Sequence, residues 1–215
     1  MRLMHLISGT DVRGVAMGGQ AELTAEATAR IAAAYGHWLA GKQDKETGTL
    51  RISVGMDSRL TGPALKEAII QGLCDTGAAV YDCGMASTPA MFMSTVTEGY
   101  AYDGAIMVTA SHLPAERNGM KFFTPEGGID KPDLIEILTI GENGEDLSAN
   151  EPGQVREAAF MDAYCALLAD KVREALGEDT PLTGSHIVVD AGNGAGGFFV
   201  EKVLRVLGAD TAGGQ

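Results

Sequence analysis

From Thr24 onward, helical and strand-like patterns alternate along the chain. That rhythm leaves few folds open, because strands separated by helix-length crossovers build a sheet covered by helices. Ala27, Ile31, Ala34, Trp38 and Leu39 recur at helical spacing behind a natural N-cap, Thr24. The spacing therefore predicts a helix over Thr24 to Ala40. Strands are predicted at Arg51 to Met56, Ala79 to Cys83, Gly104 to Val108 and Met120 to Phe123. Between and after them, Pro63 to Cys74, Ala90 to Val96 and Lys131 to Ile140 read as helices, the first two opened by proline signals. Asn118-Gly119 reads as a turn before the Met120 strand. The chain is of the α/β class.

The rhythm is interrupted by residues 142–153, an acidic, Gly/Asn-rich stretch without periodicity, which reads as a linker. It separates a first domain, 1–141, from 154–215, where a helix (Phe160 to Leu176), a strand (His186 to Asp190), a glycine-rich turn and a helix (Phe198 to Leu207) follow. One helix, strand and helix do not close a core, so 154–215 reads as the incomplete start of a second domain.

Composition narrows the function. With 16 Lys+Arg against 29 Asp+Glu, the formal charge of −13 repels nucleic acid and anionic membranes. A small phosphorylated substrate remains compatible if some of the scarce basic residues gather in one place. Cys74, Cys83 and Cys165 form no CxxC pair and sit in apolar stretches, so they are expected reduced and buried. Met1 to Gly9 holds no apolar run of signal-peptide length and no segment approaches a membrane span; the expected compartment is the cytoplasm.

The chemistry is expected in Asp103 to Gly128, where a buried strand runs straight into Thr109-Ala110-Ser111-His112-Leu113-Pro114. Ligands gather at the carboxyl ends of strands in open α/β sheets, so the Ser111 hydroxyl is well placed to meet substrate. Lys121 returns on the next strand, where its ammonium is expected to neutralise an anion near Ser111 or to help move its proton. A serine-hydrolase reading is disfavoured. There is no G-x-S-x-G elbow, and neighbours on an extended chain point apart, which leaves His112 poorly placed as a base for Ser111. Asp57, Ser58 and Arg59 lie between a strand and a helix and read as turn-stabilising before substrate-binding. The turn in Asp190 to Gly197 reads as structural, and Met85, Met91 and Met93 as core filling.

TASHLPAERNGMKFF resembles the phosphoserine loop of the α-D-phosphohexomutases, T-[AG]-S-H-N-P followed by N-G-x-K. Three further segments are similar in order: Gly9 to Gly14 (GTDVRG) to the D-x-R-G signature, Val54 to Arg59 (VGMDSR) to G-x-D-S-R, and Asp190 to Gly197 (DAGNGAGG) to the opening of the second domain. The resemblance implies a three-layer α/β/α domain with a mixed, mostly parallel sheet, followed by the beginning of a second similar domain. It further implies an intramolecular phosphotransferase that interconverts hexose 1-phosphate and 6-phosphate through a phosphoserine and a bisphosphorylated sugar. Ser111 would be the phosphorylated nucleophile and one Mg²⁺ ligand. His112 and Lys121 would assist proton movement, and Arg13, Thr109, Asn118 and Lys121 would bind phosphate. A glucose 1,6-bisphosphate-type activator is implied as well. Leu113 stands where the family's loop has Asn. The family's metal, sugar and phosphate loops do not occur in these residues, so the chain alone is expected to be inactive. A reading of another class is a non-catalytic truncated domain that acts through protein association.

Overall fold

In the computed structural model, which describes residues 1–213, the Thr24 hydroxyl accepts the Ala27 amide and opens helix α1, Ala25–Gln43. Helix α2, Gly62–Asp75, begins with Pro63 in its first turn, and α4, Lys131–Glu142, begins with an Asp130/Asp133 capping box. Ile31, Leu39, Ile69, Leu73, Leu134 and Ile137 are fully buried on these three helices. They meet alternate residues of the sheet, Ile52, Val54, Ile106 and Val108. Each such side chain contributes about 1.5–3 kcal/mol of burial, so this face holds most of the stability.

The sheet has eight strands: β1 (Ile7–Ser8), β2 (Asp11–Val15), β3 (Arg51–Met56), β4 (Ala79–Met85), β5 (Gly104–Val108), β6 (Arg117–Thr124), β7 (Gly127–Gly128) and β8 (Val155–Glu157). Their order is β1-β2-β6-β5-β3-β4-β8, with β7 beside β6. β5, β3, β4 and β8 run parallel, whereas β1, β2, β6 and β7 are joined by antiparallel pairs. The sheet is thus mixed, with its parallel part confined to one half. Because strand side chains alternate, Ser53 and Gly55 face away from α1 and α2. There they meet the short helix α3, Thr88–Met93: a Cβ on Gly55 would lie 2.6 Å from Met91 Sδ and 2.9 Å from Ala86 Cβ. Helices therefore cover both faces, in three layers.

Several sequence expectations are corrected. Asn118-Gly119 is not a turn but lies inside β6, because Gly119 pairs with Arg13 of β2 and its carbonyl accepts the Thr109 amide. Residues 142–153 pack on the first unit: Leu147 is buried, and the Ala149 and Gly153 amides donate to the Asp75 and Cys74 carbonyls. β8 then adds to the sheet, so the first compact unit is Met1–Ala158 and the second begins at Ala159.

In that second unit α5, Phe160–Leu176, ends on Gly177 in the left-handed conformation. His186 to Asp190 is not a strand. Its one bridge joins His186 to Asp210, and a strand needs a longer partner than one residue. Phe198 to Leu207 is helical as expected, but its middle is wound as a π-helix, Val200–Leu204, and its end as a 3-10 turn, Arg205–Leu207. Among the described residues no helix is long and apolar enough to cross a membrane.

All three cysteines are buried and unpaired with one another. Burial, reinforced by the Asp82 charge, pushes the Cys83 thiol up to about 12, with Lys66 opposing. At pH 8, Cys83 should therefore react with Ellman's reagent about 1,000-fold or more slowly in the native protein than in denaturant, since the thiolate is the reactive form. A native rate within tenfold of the denatured rate would contradict that burial.

Candidate active site

β5 is buried along its whole length and delivers the chain to Thr109, Ala110 and an exposed Ser111. Ser111 has φ +57, a left-handed conformation that costs a residue with a side chain about 1–2 kcal/mol. In that conformation its Oγ lies 3.3 Å from His112 Nδ1. The expectation that the two side chains point apart is thereby corrected, since it assumed extended backbone at Ser111. Which of the two atoms donates depends on the imidazole tautomer.

The peptide around Ser111 is held on both sides. Its amide donates to Thr109 Oγ1 at 3.0 Å, and that hydroxyl donates to Asp57 Oδ2 at 2.6 Å. Asp57 Oδ1 accepts the Arg59 amide at 3.1 Å. The Arg59 guanidinium then reaches across to the loop. Nη2 donates to the Ser111 and Leu113 carbonyls at 2.8 and 2.7 Å, and Nη1 to the Pro114 and Arg117 carbonyls, both at 2.9 Å.

A second cluster comes from β2 and β6. Register places Arg13 opposite Gly119, and residues two apart on a strand share a face, so Asp11, Arg13, Gly119 and Lys121 line one side. Asp11 Oδ2 accepts Arg13 Nη2 at 2.8 Å, Arg13 Nε at 3.2 Å and Lys121 Nζ at 2.6 Å. Two cations and one carboxylate leave one net positive charge. The cluster reaches the serine loop through Arg13 Nη1, 3.5 Å from the Ala110 carbonyl. Gly119 makes room for this, because a Cβ there would stand 3.0 Å from Arg13 Cγ.

Of the sequence candidates, Ser111 and His112 thus adjoin the carboxyl end of β5, Arg13 reaches the Ala110 carbonyl, and Lys121 is joined to Arg13 through Asp11. Thr109 and Asn118 sit differently. Thr109 is 5 % exposed, with its hydroxyl engaged by Asp57 and Ser111, and Asn118 is fully buried between Thr61 Oγ1 and the Gly119 amide. Both orient the loop and strand rather than face solvent. The turn reading of Asp57 and Arg59 captures the Asp57 to Arg59 amide bond but not the four carbonyls that Arg59 gathers. Sequence reasoning also missed Asp11, whose signal was the D-x-R spacing that puts both charges on one strand face. Among the described residues no group of three or more His, Cys, Asp or Glu is placed to hold a metal ion.

Comparison with known proteins gives this geometry its context. Residues 5–146 match the family model for phosphoglucomutase/phosphomannomutase, alpha/beta/alpha domain I. The chain is 36% identical over 203 residues to a phosphoglucomutase/phosphomannomutase of Thermococcus kodakarensis, covering 92% of this chain and 41% of that protein. It is 34% identical over 212 residues to a phosphoglucosamine mutase of a Ruegeria species, covering 96% and 45%. The crystal structure of a phosphoglucomutase/phosphomannomutase family protein from Burkholderia thailandensis superposes with a TM-score of 0.79 at 25% identity, over 98% of this chain and 44% of that one. The chain therefore spans less than half the length of these relatives. A fold, a serine loop and a family match that coincide over the same residues have one explanation: the chain belongs to the α-D-phosphohexomutase superfamily and contains its N-terminal α/β/α domain.

Proposed function

We propose that this chain carries the phosphoserine of a phosphohexomutase that interconverts hexose 1-phosphates and 6-phosphates. The observation that carries the reading is the exposed Ser111 at the carboxyl end of β5, beside His112 and next to a loop carbonyl reached by Arg13. In the first half-reaction a sugar hydroxyl oxygen attacks the phosphorus on Ser111. The new sugar O–P bond forms, the bond from phosphorus to Ser111 Oγ breaks, and the sugar's hydroxyl proton ends on Oγ. His112 Nδ1, 3.3 Å from Oγ, can relay that proton. The bisphosphorylated sugar then turns over and returns its other phosphoryl group by the reverse steps.

Phosphoryl transfer of this kind depends on in-line positioning and fixed positive charge more than on covalent help. A phosphoserine brings between about −1.5 and −2 charges at neutral pH. Arg13 and Lys121, held on one carboxylate, are the chain's means of meeting that charge. The phosphate on Ser111 would be one ligand of Mg²⁺. A hard divalent cation needs about six oxygens, and Asp57 and Asp11 are engaged by protein donors. The described residues by themselves do not fit the ion.

The test is to incubate the full-length protein with glucose 1,6-bisphosphate and map phosphate by mass spectrometry. One phosphate on Ser111 is expected; phosphate on another residue, with Ser111 bare, would end the assignment.

A further inference from the structure

The most heavily used side chain near Ser111 is not one that resembles a catalytic group. Arg59 spends all four of its Nη hydrogens on carbonyls of one loop, those of Ser111, Leu113, Pro114 and Arg117. Its remaining donor, Nε, has no hydrogen-bond partner and lies 3.5 Å from Asp57 Oδ2. The guanidinium is largely buried, with 13% of the side chain accessible. Asp57 closes the other half of the arrangement through Thr109 Oγ1 to the Ser111 amide. The same short segment after β3 therefore grips both the N–H and the C=O of the one residue in the loop that adopts a left-handed backbone.

A left-handed serine persists only where its surroundings over-determine it. We infer that Asp57 and Arg59 are positioning residues for phosphoryl transfer, holding Ser111 in the conformation that brings Oγ to His112 and presents it to substrate. This rests on the mutase reading of Ser111. It also bears on Leu113. The loop lacks a polar side chain at that position, but its order here comes from carbonyls bound to Arg59, and Leu113 supplies one of them through its backbone. Only a planar fork with paired donors fits four converging carbonyls, so lysine is not an equivalent.

The experiment compares wild type, Arg59→Lys and Arg59→Ala as full-length proteins, measuring the rate of phosphate incorporation at Ser111 from glucose 1,6-bisphosphate. Hydrogen exchange of residues 111–117 and thermal melting are followed in parallel. Displacing a reacting group by an ångström costs about 100-fold. Arg59→Ala should therefore lose about that factor, exchange faster in 111–117, and regain rate when millimolar guanidinium is added. Arg59→Lys should remain slow. A rate in Arg59→Ala within threefold of wild type, or unchanged exchange in the loop, overturns the inference. So does a loss that follows the melting temperature and is not rescued by guanidinium, because that is the mark of a merely structural arginine. Failure of the mutase reading looks different: wild-type Ser111 then takes no phosphate at all.

Discussion

Replacing Ser111 by alanine is expected to abolish both phosphate incorporation and mutase turnover, a loss on the order of 10⁴-fold or more. The size follows from the chemistry. Removing a cation weakens binding of a group that still forms, whereas removing the hydroxyl leaves the phosphoryl group nothing to travel on. No neighbour is ready to substitute. Thr109, the nearest hydroxyl along the chain, is 5 % exposed and already donates to Asp57 while accepting from the Ser111 amide. The fold should hardly notice, because Ser111 is exposed and its loop is secured through backbone groups that alanine retains. Turnover in the alanine protein within tenfold of wild type, with an unchanged melting temperature, would remove Ser111 from the reaction.

The parts of this structure that were legible in the sequence are those governed by local pattern. Thr24 and Asp130 announce helices because a side-chain oxygen there satisfies an amide of the first turn. β5 announces itself by an apolar run, Gly104 to Val108, and all five residues are buried. What pattern could not give is anything decided by a distant partner. Asn118-Gly119 has turn composition, yet β2 lies alongside and draws both residues into a ladder. Residues 142–153 have linker composition, yet the amides of Ala149 and Gly153 find carbonyls at the end of α2. Conversely, His186 to Asp190 has strand composition, and its pairing is limited to the bridge from His186 to Asp210.

The site divides along the same line. Ser111 and Lys121 could be placed because they follow and flank a recognisable strand. Arg59 could not, since nothing local says that an arginine after β3 will meet four carbonyls more than fifty residues away. The orientation of His112 toward Ser111 could not be read from extended-chain geometry for a related reason. One positive φ at Ser111 reverses the side-chain geometry, and no residue there advertises it.

Gly119→Ala is expected to damage fold and site together. A Cβ at that position would lie 2.3 Å from the Val12 carbonyl oxygen and 2.9 Å from that of Thr109. Both obstacles are backbone, one on each side of β6, so no side-chain rotation relieves them. β6 would have to part from one neighbour, losing the Thr109 amide bond to Gly119 or the pairing of Gly119 with Arg13. Overpacked cores usually lose 1–3 kcal/mol, and a clash with backbone on both sides belongs at or above the top of that range, about 3 kcal/mol or more. For a chain of this size that lowers the melting temperature by about 6–12 °C. The chemistry suffers through Arg13, whose Cγ stands 3.0 Å from the added methyl and whose guanidinium ties the Asp11 and Lys121 cluster to the Ala110 carbonyl. Gly128→Ala is the control. It lies on β7 beside the same β6, but the nearest atom to its Cβ is 3.8 Å away, so it should melt with wild type. If Gly119→Ala melts within 2 °C of that control and takes up phosphate at the wild-type rate, the close approach of β2 to β6 does not hold the site.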